Sequence, residues 1–273
     1  MIQAIQTAHG LAETQVPSKG ETASGLLDIL FDTSSNSSSL MATRHPVRVA
    51  GCHANISKFV LLGPRFGGKP IRVAFLGGIG DHGSLAGPSA IARLLLEAEL
   101  RSTLVRDYAL FAYPIVNVFE HTEGVSRPEG FERRLATGKS DSDIRFFQTE
   151  LEKWRFDGLV TVRTDCHADG FHAVVRSALI AKEVVAPALD VVAKIVPIGK
   201  RPILVRPGDV RSRRADSADG RLTPPPELRP YPFEVELFAP GSASKDERIR
   251  SLFIASHEIL RSYRRMLCHG DGI

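Results

Sequence analysis

Two polar segments and one strand-like run hold most of the residues in this sequence that could do chemistry. The run Asp165–His172 (DCHADGFH) puts two histidines, two aspartates and a cysteine in a row. Imidazole and carboxylate are the common ligands of divalent metals and work best on rigid elements such as a strand end. The same residues also suit a solvated loop. His167, directly after a strand-like run, is the main ligand candidate, with Asp169 and His172 as supporting or surface residues. Cys166 is expected to be a small buried residue rather than a nucleophile. The run Gly77–Gly87 (GGIGDHGSLAG) is a glycine-rich turn with Asp81 and His82 at its tip. It lacks the Gly-Lys-Ser/Thr close of a P-loop and the glycine spacing of a dinucleotide fingerprint. It suits an anion cradle at a helix N-terminus, which would accept phosphate, or a tight turn that needs glycine for backbone freedom. In FEVEL, Glu234 and Glu236 share one side of a strand. Glu236 is either an edge charge facing water or a general acid–base group.

The elements that must position these groups follow from periodicity. Ile71–Leu76, Ala109–Val116, Leu159–Arg163 and Phe233–Leu237 read as strands, Pro114 marking the end of the second. Pro88–Arg101 reads as a helix with Ile91, Leu94, Leu95 and Ala98 on one stripe and Pro88 in its first turn. Ser142–Trp154 is a helix with Ile144, Phe147, Leu151 and Trp154 inward and Ser142 as its cap. Ala181–Ile195 is helical with a kink or break at Pro187. Ser244–Leu267 is the longest helix, opened by Ser244 and Glu247 at capping-box spacing. Pro202–Pro232 reads as loop or irregular hairpin. Alternating strands and helices predict an α/β fold: a mixed, mostly parallel twisted sheet with helices on both faces. Sites in such sheets lie at the carboxyl ends of the strands.

The chain has 273 residues, 43% hydrophobic and 24% charged, with a formal net charge of +4. That composition is globular, and the charge does not call for nucleic acid. No apolar run reaches the ~18 residues of a membrane span. The first twenty residues show no basic region followed by an apolar core, and three cysteines form no pattern, so a cytoplasmic, reducing location is expected. Residues 1–45 form an N-terminal segment, partly loop because of Thr33–Ser39 (TSSNSSS), with a short helix over Gly25–Phe31; residues 46–273 form a single α/β domain.

In their order along the chain, Phe75–Ile79 with the helix from Ser84, Tyr113–Val118, Val160–His167 and Pro232–Leu237 resemble the zinc metallocarboxypeptidase family, in particular its succinylglutamate desuccinylase and aspartoacylase branch. The resemblance implies a hydrolase of peptide or acyl-amide bonds that uses one zinc ion to activate water. It puts Asp81, Ser84 and His167 at the metal-ligand positions, with His82, Asp169 and His172 able to complete them. It makes Glu236 the proton shuttle. Asn117, Arg127, Arg133 and Arg134 become the groups that hold a small-molecule or peptide substrate by its carboxylate. The sequence departs from the family pattern: Asp81 stands where a zinc histidine belongs and Ser84 where a zinc glutamate belongs, a one-residue shift to His82 puts Leu85 at the spacing of that glutamate, the family's Asn-Arg pair is absent, and Asn117 is followed by Val118 instead of proline. These departures carry a second reading, a carboxypeptidase-like binding or regulatory protein without the full zinc site.

Overall fold

A computed structural model describes residues 22–49, 52–65, 69–79, 84–118, 141–206 and 233–270. Helix α1 (Ala23–Asn36) precedes strands β1 (Leu40–Val49), β2 (Cys52–Leu62) and β3 (Ile71–Leu76). Helix α2 (Ala86–Leu100), β4 (Tyr108–Tyr113), α3 (Ser142–Trp154), β5 (Gly158–Asp165) and β6 (Phe171–Val175) follow. A helical segment ending in α4 (Ala186–Val192), then β7 (Ile198–Val205), β8 (Phe233–Pro240) and α5 (Lys245–Gly270), complete the order. The eight strands form one sheet in the order β1-β2-β4-β3-β5-β8-β6-β7. Its centre, β4-β3-β5-β8, is parallel, while β1-β2, β2-β4 and β8-β6 pair antiparallel. The expected mixed α/β sheet is what the chain forms.

The sheet has two unlike faces. On one, Val73, Phe75, Val160, Val162, Val235 and Leu237 pack with Ile91, Leu94 and Leu95 of α2 and Leu252, Ala255 and Ile259 of α5 in one continuous core. Alternation along each strand sends the intervening residues to the other face. There Ala74, Leu76, Phe111, Tyr113 and Leu159 meet Ile144 and Phe147 of α3. Each helix buries the stripe that its sequence spacing dictates. The α5 start is a capping box: Ser244 N–H donates to Glu247 Oε2 at 2.9 Å and Glu247 N–H to Ser244 Oγ at 3.2 Å. These bonds hold the Glu247 carboxyl below the usual carboxylate range.

Several elements differ from the sequence expectation. Within the described part of the N-terminal segment, α1 runs through Thr33–Asn36 and β1 begins at Leu40 and continues to Val49. The serine-rich tract works as a helix stop. Ser37 N–H bonds Ser34 O, and the Ser37 and Ser39 hydroxyls donate to Glu99 of α2 at 2.7 and 2.5 Å. Asp141, not Ser142, is the N-cap of α3, and Ser142 Oγ instead donates to Arg48 O at 2.7 Å. At Pro187 the expected irregularity takes the form of a local widening of the helix. The proline removes one N–H from the ladder, and the preceding Ala181–Val185 widens to a π-turn in which Ala186 N–H bonds Ala181 O. Strand β7 reaches Val205, inside the stretch read as loop or irregular hairpin. Among the described residues, no helix is long and apolar enough to cross a membrane.

Candidate functional site

The candidate site is built by three neighbouring strands. In the β5–β8 register, Leu159 pairs with Glu234, Thr161 with Glu236 and Arg163 with Phe238. In the β8–β6 register, Phe238 pairs with His172 and Glu236 with Val174. Residues paired across strands share a face. Since Val160, Val162, Val235, Leu237, Ala173 and Val175 lie in the α2/α5 core, all of these partners point the other way. The result is a small grid: Arg163, Phe238 and His172 in one row across the strands, then Thr161, Glu236 and Val174, then Leu159 and Glu234.

Ion pairs run diagonally through the grid. Arg163 Nη2 lies 3.9 Å from Glu236 Oε2, with side chains 13% and 21% exposed. Arg176, just past β6, puts Nε 3.8 Å from Oε2 of the buried Glu234. The His172 ring stacks on Phe238 at 4.7 Å and 6°. The Arg163 guanidinium carbon lies 5.6 Å from the Phe238 ring centroid on the same row. Two neighbouring carboxylates of β8 are thus each met by one arginine on a half-dry surface.

The expected site residues are distributed unevenly around this grid. Glu236 is at its centre. His167 is exposed, in the turn after β5, and its N–H donates to Asp165 Oδ1 at 2.9 Å. Glu236 is level with Thr161, and Thr161–Asp165 alone advances about 13 Å at the usual strand rise. The β5 side chain that meets Glu236 is thus Arg163. Ser84 approaches β5 from the start of α2: its Oγ lies 3.2 Å from Thr164 Oγ1 and accepts from Ala86 N–H at 3.3 Å. By alternation Thr164 belongs to the face of Val162, away from Glu236. Asn117 is buried beside the turn after β3, where its N–H bonds Gly78 O at 3.3 Å. Gly78 has φ of 64°, and a Cβ on Gly77 would come within 2.6 Å of Pro114 O, so both glycines serve this close turn. Asp169 turns toward β7, where Oδ2 accepts from Lys200 N–H at 3.5 Å. Cys166 is exposed, not buried, because the chain turns outward at the end of β5 and presses its backbone against Gly241. Asp81, His82, Arg127, Arg133 and Arg134 lie outside the described residues.

Zinc is the ion that the resemblance implies, and among the described residues the donors around Glu236 do not fit it. Its nearest charged neighbour on β5 is a guanidinium, which has no lone pair to offer and stays protonated. Ser84 offers only a neutral hydroxyl already engaged with Thr164. Among the described residues no three His, Cys, Asp or Glu side chains converge. Sequence reasoning missed Arg163, Arg176 and Phe238. The available signal was an arginine at the inward period of LVTVR and two glutamates at the matching period of FEVEL.

No protein-family model and no curated protein matches the chain. Solved structures do. A metallo-carboxypeptidase from Burkholderia cenocepacia superposes with TM-score 0.67 at 10% identity, over 90% of this chain and 70% of that one. The metallo-carboxypeptidase from Pseudomonas aeruginosa, solved with (2-guanidinoethylmercapto)succinic acid, gives 0.61 at 12% identity over 90% and 70%. Bovine thrombin-activatable fibrinolysis inhibitor, solved with tick carboxypeptidase inhibitor, gives 0.62 at 9% identity over 90% and 98%. These likenesses extend over nearly the whole chain, and with the sheet order described above they establish that it has the zinc carboxypeptidase-like fold.

Proposed function

We propose that this chain uses the carboxypeptidase-like fold to bind a small carboxylate-bearing ligand without zinc chemistry. The observation that carries the reading is the Arg163–Glu236 pair at 3.9 Å. A general base must face the water that it deprotonates, and a metal site must concentrate lone pairs. Here the Glu236 carboxylate faces a permanent cation instead.

The second reading is a zinc-dependent hydrolase of peptide or acyl-amide bonds. It draws on the likeness to metallo-carboxypeptidases and on Glu236 standing on the strand beside β5. One experiment separates the two. The full chain, purified without chelator, is analysed for metal and assayed on N-acetyl amino acids and C-terminally unblocked peptides, with and without added zinc. The binding reading expects zinc far below one ion per chain and no chelator-sensitive hydrolysis. One zinc per chain, with hydrolysis lost in Glu236→Gln, would overturn it in favour of the hydrolase.

A further inference from the structure

A second charged surface lies at the other end of the sheet. Glu236 is level, through Thr161, with Leu76 at the last residue of β3. At the first residues of β3 and β4 the chain builds a different rim. Helix α2 ends at Leu100, and a 3-10 turn over Ser102–Val105 leads toward β4. Asp107 N–H donates to Pro64 O at 2.8 Å, Gly63 N–H to Tyr108 O at 2.9 Å, and Arg264 Nη1 of α5 to Arg106 O at 3.2 Å. Gly63 packs so tightly here that an added Cβ would come within 1.7 Å of Val105 O. Four arginines are thereby gathered around one turn: Arg65 and Arg101 are exposed, Arg106 is 46% exposed and Arg264 is half-buried. Leu100 stands among them at 72% exposure, the highest of any large apolar side chain among the described residues, and Leu62 is 38% exposed. The two leucines share a neighbour, since Leu62 N–H donates to Ser39 O and Ser39 Oγ to Glu99, the residue before Leu100. The adjoining carboxylates are engaged: Asp107 lies 3.7 Å from Arg106 Nε, and Glu99 accepts from Ser37 and Ser39.

We propose that this rim docks the protein on the surface of an anionic lipid bilayer, with Leu62 and Leu100 entering the headgroup layer and the arginines on lipid phosphates. The rim shares no residue with the candidate site, so the inference stands apart from the proposed function. A leucine held in water regains its transfer free energy at the boundary between headgroups and acyl chains. A guanidinium is weakly hydrated and forks onto phosphate, and an anionic leaflet attracts each cation brought near it. Neither part is strong alone, and stable attachment takes both signals together. A nucleic acid would satisfy the arginines as well. It would leave the leucines unused, because they offer no hydrogen bond to a base edge and no ring to stack on. Docked by this rim, the molecule turns the Glu236 end of the sheet toward water.

The test is co-sedimentation of the full chain with vesicles of phosphatidylcholine alone and of phosphatidylcholine mixed with phosphatidylserine, over a series of sodium chloride concentrations. The mixed vesicles should bind the chain saturably, about tenfold or more above phosphatidylcholine alone, and less as salt rises. Arg65→Gln/Arg101→Gln should lower that affinity about tenfold or more, at about fivefold per arginine, and flatten the salt dependence. Leu100→Gln should lower it about tenfold at unchanged salt dependence, because apolar insertion is not screened. Lys200→Gln/Arg201→Gln removes the same charge from exposed positions of β7 and should leave binding within about twofold. The vesicle series on the unaltered chain decides the matter even if a variant fails to fold. No saturable binding to the mixed vesicles, an equal loss in the β7 pair, or no effect of Leu100→Gln overturns the inference. Tighter retention of duplex DNA than of mixed vesicles at the same salt overturns it in favour of a nucleic-acid surface.

Discussion

Replacing Glu150 by leucine should be among the most damaging single changes in this protein. Its Oε2 accepts from Lys58 Nζ at 2.5 Å, from Tyr113 Oη at 2.5 Å and from Trp154 Nε1 at 3.1 Å. Lys58 and Glu150 are 8% and 7% exposed, and the ammonium also lies 4.9 Å above the Trp154 ring. Glu150→Leu removes the counter-charge and strands a nearly dry ammonium, at a cost of about 3–5 kcal/mol. Tyr113 and Trp154 lose their acceptor as well, each loss being worth roughly 1–3 kcal/mol, although such terms overlap and do not add fully. The double variant Lys58→Met/Glu150→Gln keeps an amide oxygen for both donors and removes the two charges together. It should therefore unfold within about 2 kcal/mol of the parent. Urea titrations followed by far-UV circular dichroism on the parent, Glu150→Leu, the singles Lys58→Met and Glu150→Gln, and the double would measure the coupling. If Glu150→Leu costs less than about 1 kcal/mol, or the double is as unstable as that variant, the cluster is not the buried ion pair described here.

Three further outcomes are expected. Burial and the neighbouring Glu150 hold the Tyr113 phenol well above its ordinary value of 10.0. Its neutral form then favours the fold fully below pH 10, and that contribution is lost as pH rises above 10, so alkaline melts should fall more steeply in the parent than in Tyr113→Phe. Desolvation holds His257 below its ordinary 6.5, so the unfolded chain takes up its proton first as pH falls. Stability present above pH 6.5 is lost progressively below it, and His257→Gln should flatten that limb of a pH series of thermal melts. Ser244→Ala breaks the reciprocal cap of α5 and should cost about 1 kcal/mol, read as a lower urea midpoint at unchanged slope.

The parts of the fold that were legible in the sequence are those where one period dominates. The Ser142–Trp154 helix has the expected bounds, with Ile144 and Phe147 buried and Leu151 and Trp154 partly buried, and β3, β5 and β8 each contain the apolar run that announced them. The hairpin β1–β2 was not legible. LMATRHPVRV is half polar, with a proline and three basic residues, because β1 is an edge strand with one neighbour and open flanks. The five-residue β6 was hidden behind the polar run that precedes it, and β7 among prolines and basic residues. At the site, the sequence identified Glu236 and the right strand beside it. It could not give the register. Strand β5 runs to Asp165, two residues beyond the apolar run that marked it, and in a structure of period two such an extension decides which side chain stands next to a partner. His167 looks like the strand-end ligand in one dimension, while Arg163 is the neighbour in three.

The strand order has a consequence for how the molecule is assembled. β8, made from residues 233–240, is the slat between β5 and β6, which are only a few residues apart along the chain. Until that late segment arrives, β6 and β7 can pair only with each other, and β5 presents a raw edge of unsatisfied backbone groups. The sheet therefore cannot close during synthesis before residue 240 has left the ribosome. A nascent chain halted earlier would carry two unjoined half-sheets, each with an adhesive border that invites pairing with other chains.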